Sequence, residues 1–117
     1  EPESKALADL ANSANWTMTI SYHSMGNLVY WDFAGNKVAE QSKELAELVT
    51  GISGYRTNRS SGKGGFKDYV QIKDSPIPSL TIEVGSVACP MPASEFGNVW
   101  NSNQSILAAL AAYAADH

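Results

Sequence analysis

The sequence predicts an α/β domain, with helices on both faces of a mixed, mostly parallel sheet. Three observations carry that prediction. Segments of helical periodicity alternate with short runs rich in β-branched and aromatic residues. Leu80-Thr-Ile-Glu-Val84 is short and nearly all apolar, the pattern of a buried parallel strand. No repeat or linker divides the chain, and 117 residues suit one compact domain better than two.

The elements follow in order. Pro2 suits the first turn of a helix, and Glu3 its positive end. Ala6, Leu7, Leu10 and Ala11 recur at helical spacing, which predicts a helix from residue 2 to about 13. Trp16 to Tyr22 reads as a strand, and His23-Ser24-Met25-Gly26 as the turn at its end. Asn27 to Trp31 reads as a second strand. Gly35-Asn36 opens a helix whose apolar stripe is Val38, Leu45, Leu48, Val49 and Ile52. Gly51 to Gly65 is rich in Gly, Ser and Arg and reads as one long loop. Phe66 to Ile72 suits a short helix. Ser75-Pro-Ile-Pro78 forbids helix and leads into the strand at Leu80. A single long helix is expected from Ala93 to Ala115, with Phe96, Trp100, Asn103, Leu107, Leu110 and Ala114 on one stripe.

Composition narrows the function classes. The net charge of -4 argues against a nucleic-acid partner, because phosphate binding needs clustered Lys and Arg. Arg56, Arg59, Lys63 and Lys67 form a local basic stretch that is either a solvated loop or a functional one. The single cysteine, Cys89, excludes an intrachain disulfide. No segment approaches the roughly 20 apolar residues of a membrane span. Glu1-Pro2-Glu3 reads as a cut edge, with room for an export signal upstream.

Glu83 is the first candidate for chemistry. It is either a carboxylate capped or ion-paired at a strand mouth, or a base at the sheet edge where α/β folds bind ligands. His23 also follows a strand. It is either a structural histidine or a ligand converging on the same edge. Cys89, in Ala-Cys-Pro-Met-Pro, lacks a partner histidine and reads as a buried, unreactive thiol. Gly62-Lys63-Gly64-Gly65 lacks the spacing of a phosphate loop. No Ser-His-Asp order or nucleophile elbow is present.

Four segments, taken in order, resemble the zinc carboxypeptidases of the pancreatic carboxypeptidase type. They are Glu1-Pro2-Glu3, Ser21-Tyr22-His23-Ser24-Met25-Gly26, Gly64-Gly65-Phe66-Lys67-Asp68-Tyr69 and Leu80-Thr-Ile-Glu-Val84. The tail Pro90-Met-Pro-Ala-Ser-Glu-Phe96 with Trp100 resembles the bacterial branch, which includes peptidases of cell-wall peptides. The resemblance implies that residues 1–117 are the C-terminal portion of one truncated catalytic domain. It implies Glu83 as general base, His23 as a ligand of Zn2+, and Lys67, Ser24 and Tyr55 at the substrate. The resemblance also places Lys67 at the base of the specificity pocket, where a cation would favour an acidic group on the departing residue. The substrate expected is a peptide or a peptidoglycan stem peptide, cut at its C-terminal or cell-wall bond. The alternative is a non-catalytic peptide-binding module of the same fold.

The family's His-x-x-Glu zinc motif is absent from these residues, so the chain by itself is expected to be inactive. Its expected partner is the missing N-terminal half or a second copy, meeting exposed strand edges such as Leu80 to Val84. The expected location is secreted or cell-envelope, with the cytoplasm left open.

Overall fold

A computed structural model describes residues 2–59, 64–86 and 90–117. The readings of Glu1, Ser60, Ser61, Gly62, Lys63 and Cys89 lie outside the described residues.

The chain is α/β with a four-stranded mixed sheet. Helix α1 (Pro2–Asn12) leads to β1 (Thr19–Ser24) and β2 (Leu28–Tyr30). Helix α2 (Ala39–Ser53) follows, then β3 (Arg56–Asn58), α3 (Phe66–Ile72) and β4 (Ser79–Val84). A 3₁₀ turn at Ala93–Glu95 enters α4 (Phe96–Asn103), and α5 (Ile106–Asp116) ends the chain.

The strands lie in the order β1-β4-β2-β3. β1 is parallel to β4 and β2 to β3, while β2 and β4 are antiparallel. Strand alternation then sorts the two faces. Leu80 and Ile82 of β4 and Val29 of β2 join Leu45, Ala46 and Val49 of α2 and Ile106 and Leu110 of α5 in the main core. Full burial of each large aliphatic side chain contributes about 1.5–3 kcal/mol. The opposite face carries Thr81 and Glu83 and is covered in part by α3. That helix packs against α1 through Val70, Phe66 and Ala11. Helices therefore lie on both faces.

Four expectations change. β1 begins three residues later than expected and takes in His23 and Ser24, so His23 is inside the strand. The loop from Gly51 contains β3, whose exposed Arg56-Thr-Asn58 has no apolar signature. The C-terminal helix breaks at Gln104–Ser105, after a run of Asn and Ser with weak helix propensity. The break rotates the stripe, so Ile106 and Leu110 are buried while Phe96, Trp100 and Leu107 stay exposed. Finally, β4 is an interior strand, and the open edges among the described residues belong to β1 and β3. Among those residues, no helix is long and apolar enough to cross a membrane.

Candidate active site

The parallel pairing of β1 with β4 sets His23 beside Glu83, and Ser21 beside Thr81. Side chains opposite one another in register share a face, at an interstrand spacing of about 4.8 Å. On the other side of β4, Leu28 pairs with Glu83 and Tyr30 with Thr81. The start of α3 borders this polar patch. Together they enclose a cleft of about 360 Å³, lined by His23, Tyr30, Lys67, Asp68, Thr81 and Glu83 among others. Glu83 lies near the C-terminal end of β4, where open α/β sheets place ligands.

Glu83 carries the clearest functional sign. Its Oε2 is buried and has no hydrogen-bond partner among the described residues. An orphaned buried acceptor costs about 1–3 kcal/mol, more when charged, and this one lies in a cleft where water or a ligand can satisfy it. The backbone beside it is closely fitted. Gly26 sits at φ +149°, and a Cβ there would lie 3.0 Å from Leu28 Cδ2 and 3.7 Å from Glu83 Cβ. Gly85, at φ +88°, would place a Cβ 2.6 Å from Met91 Sδ. The Gly26 N–H donates to the Gly85 carbonyl at 2.9 Å, tying the two rims together.

Lys67 lies at the floor of the cleft. Its ammonium donates to the Asp32 carbonyl at 2.9 Å, to Gln71 Oε1 at 3.3 Å, and to the carboxylate of Asp68. An ammonium has three donors, and all three are used. Asp68 also accepts from the Gly65 N–H at 2.9 Å, at the start of α3. Gln71, fully buried, shares its two amide N–H donors among Trp31 O, Ser79 O and Ser42 Oγ, all within 3.2 Å of Nε2. This hub joins α2, α3 and the start of β4 beneath the cleft. Beyond it, Arg59 holds the Asp32 carboxylate at 2.6 Å and lies over the Trp31 ring.

The structure thus brings His23, Glu83 and Lys67 to one cleft. Ser24 pairs with Val84, on the opposite strand face from Glu83. Tyr55 packs against the main core, with its hydroxyl accepting from Asn103 Nδ2 at 2.9 Å. Neither lines the cleft. Sequence reasoning gave no role to Asp68, Gln71, Tyr30 or Thr81. Asp68 was detectable as an acidic residue three positions after a helix-opening glycine. Tyr30 and Thr81 become visible only once the strand register is known.

Over 110 residues, the chain is 34% identical to the Gamma-D-glutamyl-L-diamino acid endopeptidase 1 of Lysinibacillus sphaericus, covering 93% of this chain and 27% of that protein. It is 29% identical to the uncharacterized protein YqgT of Bacillus subtilis strain 168, covering 92% of this chain and 29% of the relative. The chain therefore spans less than a third of the length of these curated relatives. No protein-family model matches it.

These findings correct the assignment to the zinc carboxypeptidases and the activity drawn from it. The named relative is an endopeptidase, not a carboxypeptidase, and no family model supports the zinc carboxypeptidase reading. Lys67, the cation at this floor, is saturated by its own neighbours. The non-catalytic alternative gains no support from a relative named as a peptidase. Nor do the side chains present fit a metal. Among the described residues no group of three His, Cys, Asp or Glu could hold one, and a zinc site takes three or four protein ligands.

Proposed function

We propose that this chain forms part of a cell-wall peptidase that cleaves within its substrate, at an amide linking a γ-D-glutamyl residue to an L-diamino acid. The observation that carries the reading is Glu83, with its buried, unpartnered carboxylate oxygen, set beside His23 in an open cleft. The likeness to a peptidase of that named specificity supplies the substrate class.

In this reading Glu83 takes a proton from water, and the hydroxide formed attacks the amide carbonyl. The C–N bond then breaks and Glu83 returns the proton to the leaving amine. His23 stands at the cleft's open side, next to the reacting carbonyl. The Lys67–Asp68 pair forms a floor of zero net charge that holds α3 over β4, in place of a specificity cation. Ser24 and Tyr55 do not line this cleft, and Tyr55 lines a second cavity instead. Zinc is a separate proposal: His23 offers one donor, and the remaining donors would lie outside the described residues. A cell-envelope location follows from the substrate.

The test uses the full-length protein and a γ-D-glutamyl-L-diamino acid peptide blocked at its C-terminus. Cleavage is expected despite the block. Glu83→Gln should lower kcat/KM by about 10²–10⁴-fold with an unchanged circular dichroism spectrum. An uncleaved blocked peptide, or full activity in the Gln variant, would sink the reading. Metal analysis of the same protein decides the zinc proposal separately.

A further inference from the structure

A second cavity, of about 350 Å³, opens on the other side of the strand-end rim. That volume is within the range of small-molecule sites, about 300–1,000 Å³. It begins at Asn27, the residue before Leu28, and at Gly85, which follows β4 beyond Glu83. Its far wall is α4. Tyr55 and Val99 put it on the main-core side of the sheet, and the strand-end Gly26–Gly85 hydrogen bond links its rim residue Gly85 to Gly26, where a Cβ would lie 3.7 Å from Glu83 Cβ.

The lining divides into a scaffold and a set of uncommitted groups. Glu95 is 7% exposed and is the scaffold's centre. It accepts from the Ser86 hydroxyl at 2.8 Å, the Ser86 N–H at 3.2 Å and Asn98 Nδ2 at 3.4 Å. Those hydrogen bonds hold its carboxyl below the ordinary range, so it is ionised at neutral pH. Asn27, Asn101 and Ser102 differ. Their side chains make no hydrogen bond among the described residues, yet all three face the cavity. Val99 gives the wall a small apolar patch. Among the described residues, no Lys, Arg or His lines it.

This chemistry selects its ligand. With one fixed anion and no cation, the cavity repels carboxylates. Two free amides and a hydroxyl supply paired donors and acceptors, the pattern that meets vicinal hydroxyls and an N-acetyl group. We propose that this cavity is a subsite for a neutral N-acetylated sugar, placed to hold the glycan end of a cell-wall substrate while its peptide lies over Glu83. The choice of sugar rests on the cell-wall reading above. The exclusion of an anionic ligand rests on the lining alone.

Two measurements on the full-length protein test it. The first is calorimetric titration with N,N′-diacetylchitobiose, a neutral probe that needs no catalysis. Binding is expected, and Asn101→Ala/Ser102→Ala should weaken it at least tenfold. The second compares kcat/KM for a disaccharide-linked stem peptide and for the same peptide without sugar. The wild type should favour the sugar-bearing form several-fold through KM. The double variant should lose that preference while cleaving the free peptide normally. An absence of chitobiose binding, or equal binding by the variant, would overturn the subsite even if the peptidase reading stands. If neither peptide is cleaved, the peptidase reading fails and the titration alone decides the subsite.

Discussion

Replacing Lys67 by Met separates a structural cation from a substrate-binding one. The Lys67 and Asp68 side chains are 4% and 5% exposed. Met keeps the length and removes the charge. Asp68 would then remain buried with only the Gly65 N–H to stabilise it, and the Asp32 carbonyl and Gln71 Oε1 would each lose a donor. Removing one partner of a buried pair typically costs about 3–5 kcal/mol. Repacking at the cleft's open side reduces this, so about 3 kcal/mol is expected, a change of roughly a hundredfold in the folding equilibrium. Lys67→Met/Asp68→Asn removes both charges and should recover about half of that loss. The coupling between the two sites would then be about 1.5 kcal/mol plus whatever Asp68→Asn costs alone. Urea unfolding followed by tryptophan fluorescence measures all four corners of the cycle, with an unchanged m-value as the control. In peptidase assays the Met variant should alter the preference for acidic over neutral substrates by less than threefold. A variant as stable as wild type that lost an acidic preference would refute this reasoning and restore Lys67 as the specificity cation.

Two further outcomes follow from the same structure. For Asp32, burial pushes the carboxyl up, but hydrogen bonds from Arg59, Asn36 and the Phe33 N–H, with the charge of Arg59, outweigh it and leave the group lowered. A lowered folded value means that its stabilisation is present above the unfolded carboxyl value of about 3.9, and is lost as pH falls through the folded value. Arg59→Met should therefore give a shallower loss of stability between about pH 5 and 3, and an unchanged slope would contradict the assignment. The open edge of β1, which carries exposed Tyr22 and is followed by exposed Met25, is proposed to pair with another strand. Light scattering of the 117-residue chain should show concentration-dependent association, and a monodisperse monomer at all concentrations would count against it.

Much of the architecture was legible because it rests on local rules. Phe66–Ile72 formed the helix expected of it, and the apolar run at Leu80 became the central strand. The failures were of two physical kinds. β3 is three polar, exposed residues held by pairing with β2, so no pattern in its own sequence announces it. The break after Asn103 depends on whether Ile106 and Leu110 can reach the core, which is a tertiary question. Helical spacing carried the stripe straight through Trp100 and Leu107, and packing instead turned those residues outward.

The candidate site shows the same division more sharply. Glu83 was visible as a carboxylate in an apolar strand, and its orphaned oxygen turns that oddity into a functional sign. That His23 lies beside it depends on the register of two strands some sixty residues apart in the chain, which no local pattern sets. Lys67 differs, because its partners come from the fold. A lysine after two glycines looks available to a ligand, but Asp32, Asp68 and Gln71 converge on it from two separate segments and use every donor it has. A cation's role is therefore fixed by how many acceptors the fold has already given it. By that count Lys67 has no donor left for a substrate carboxylate. The proposed cleavage inside a chain, with the sugar-bearing end held across the Gly26–Gly85 rim, asks no such contact of it.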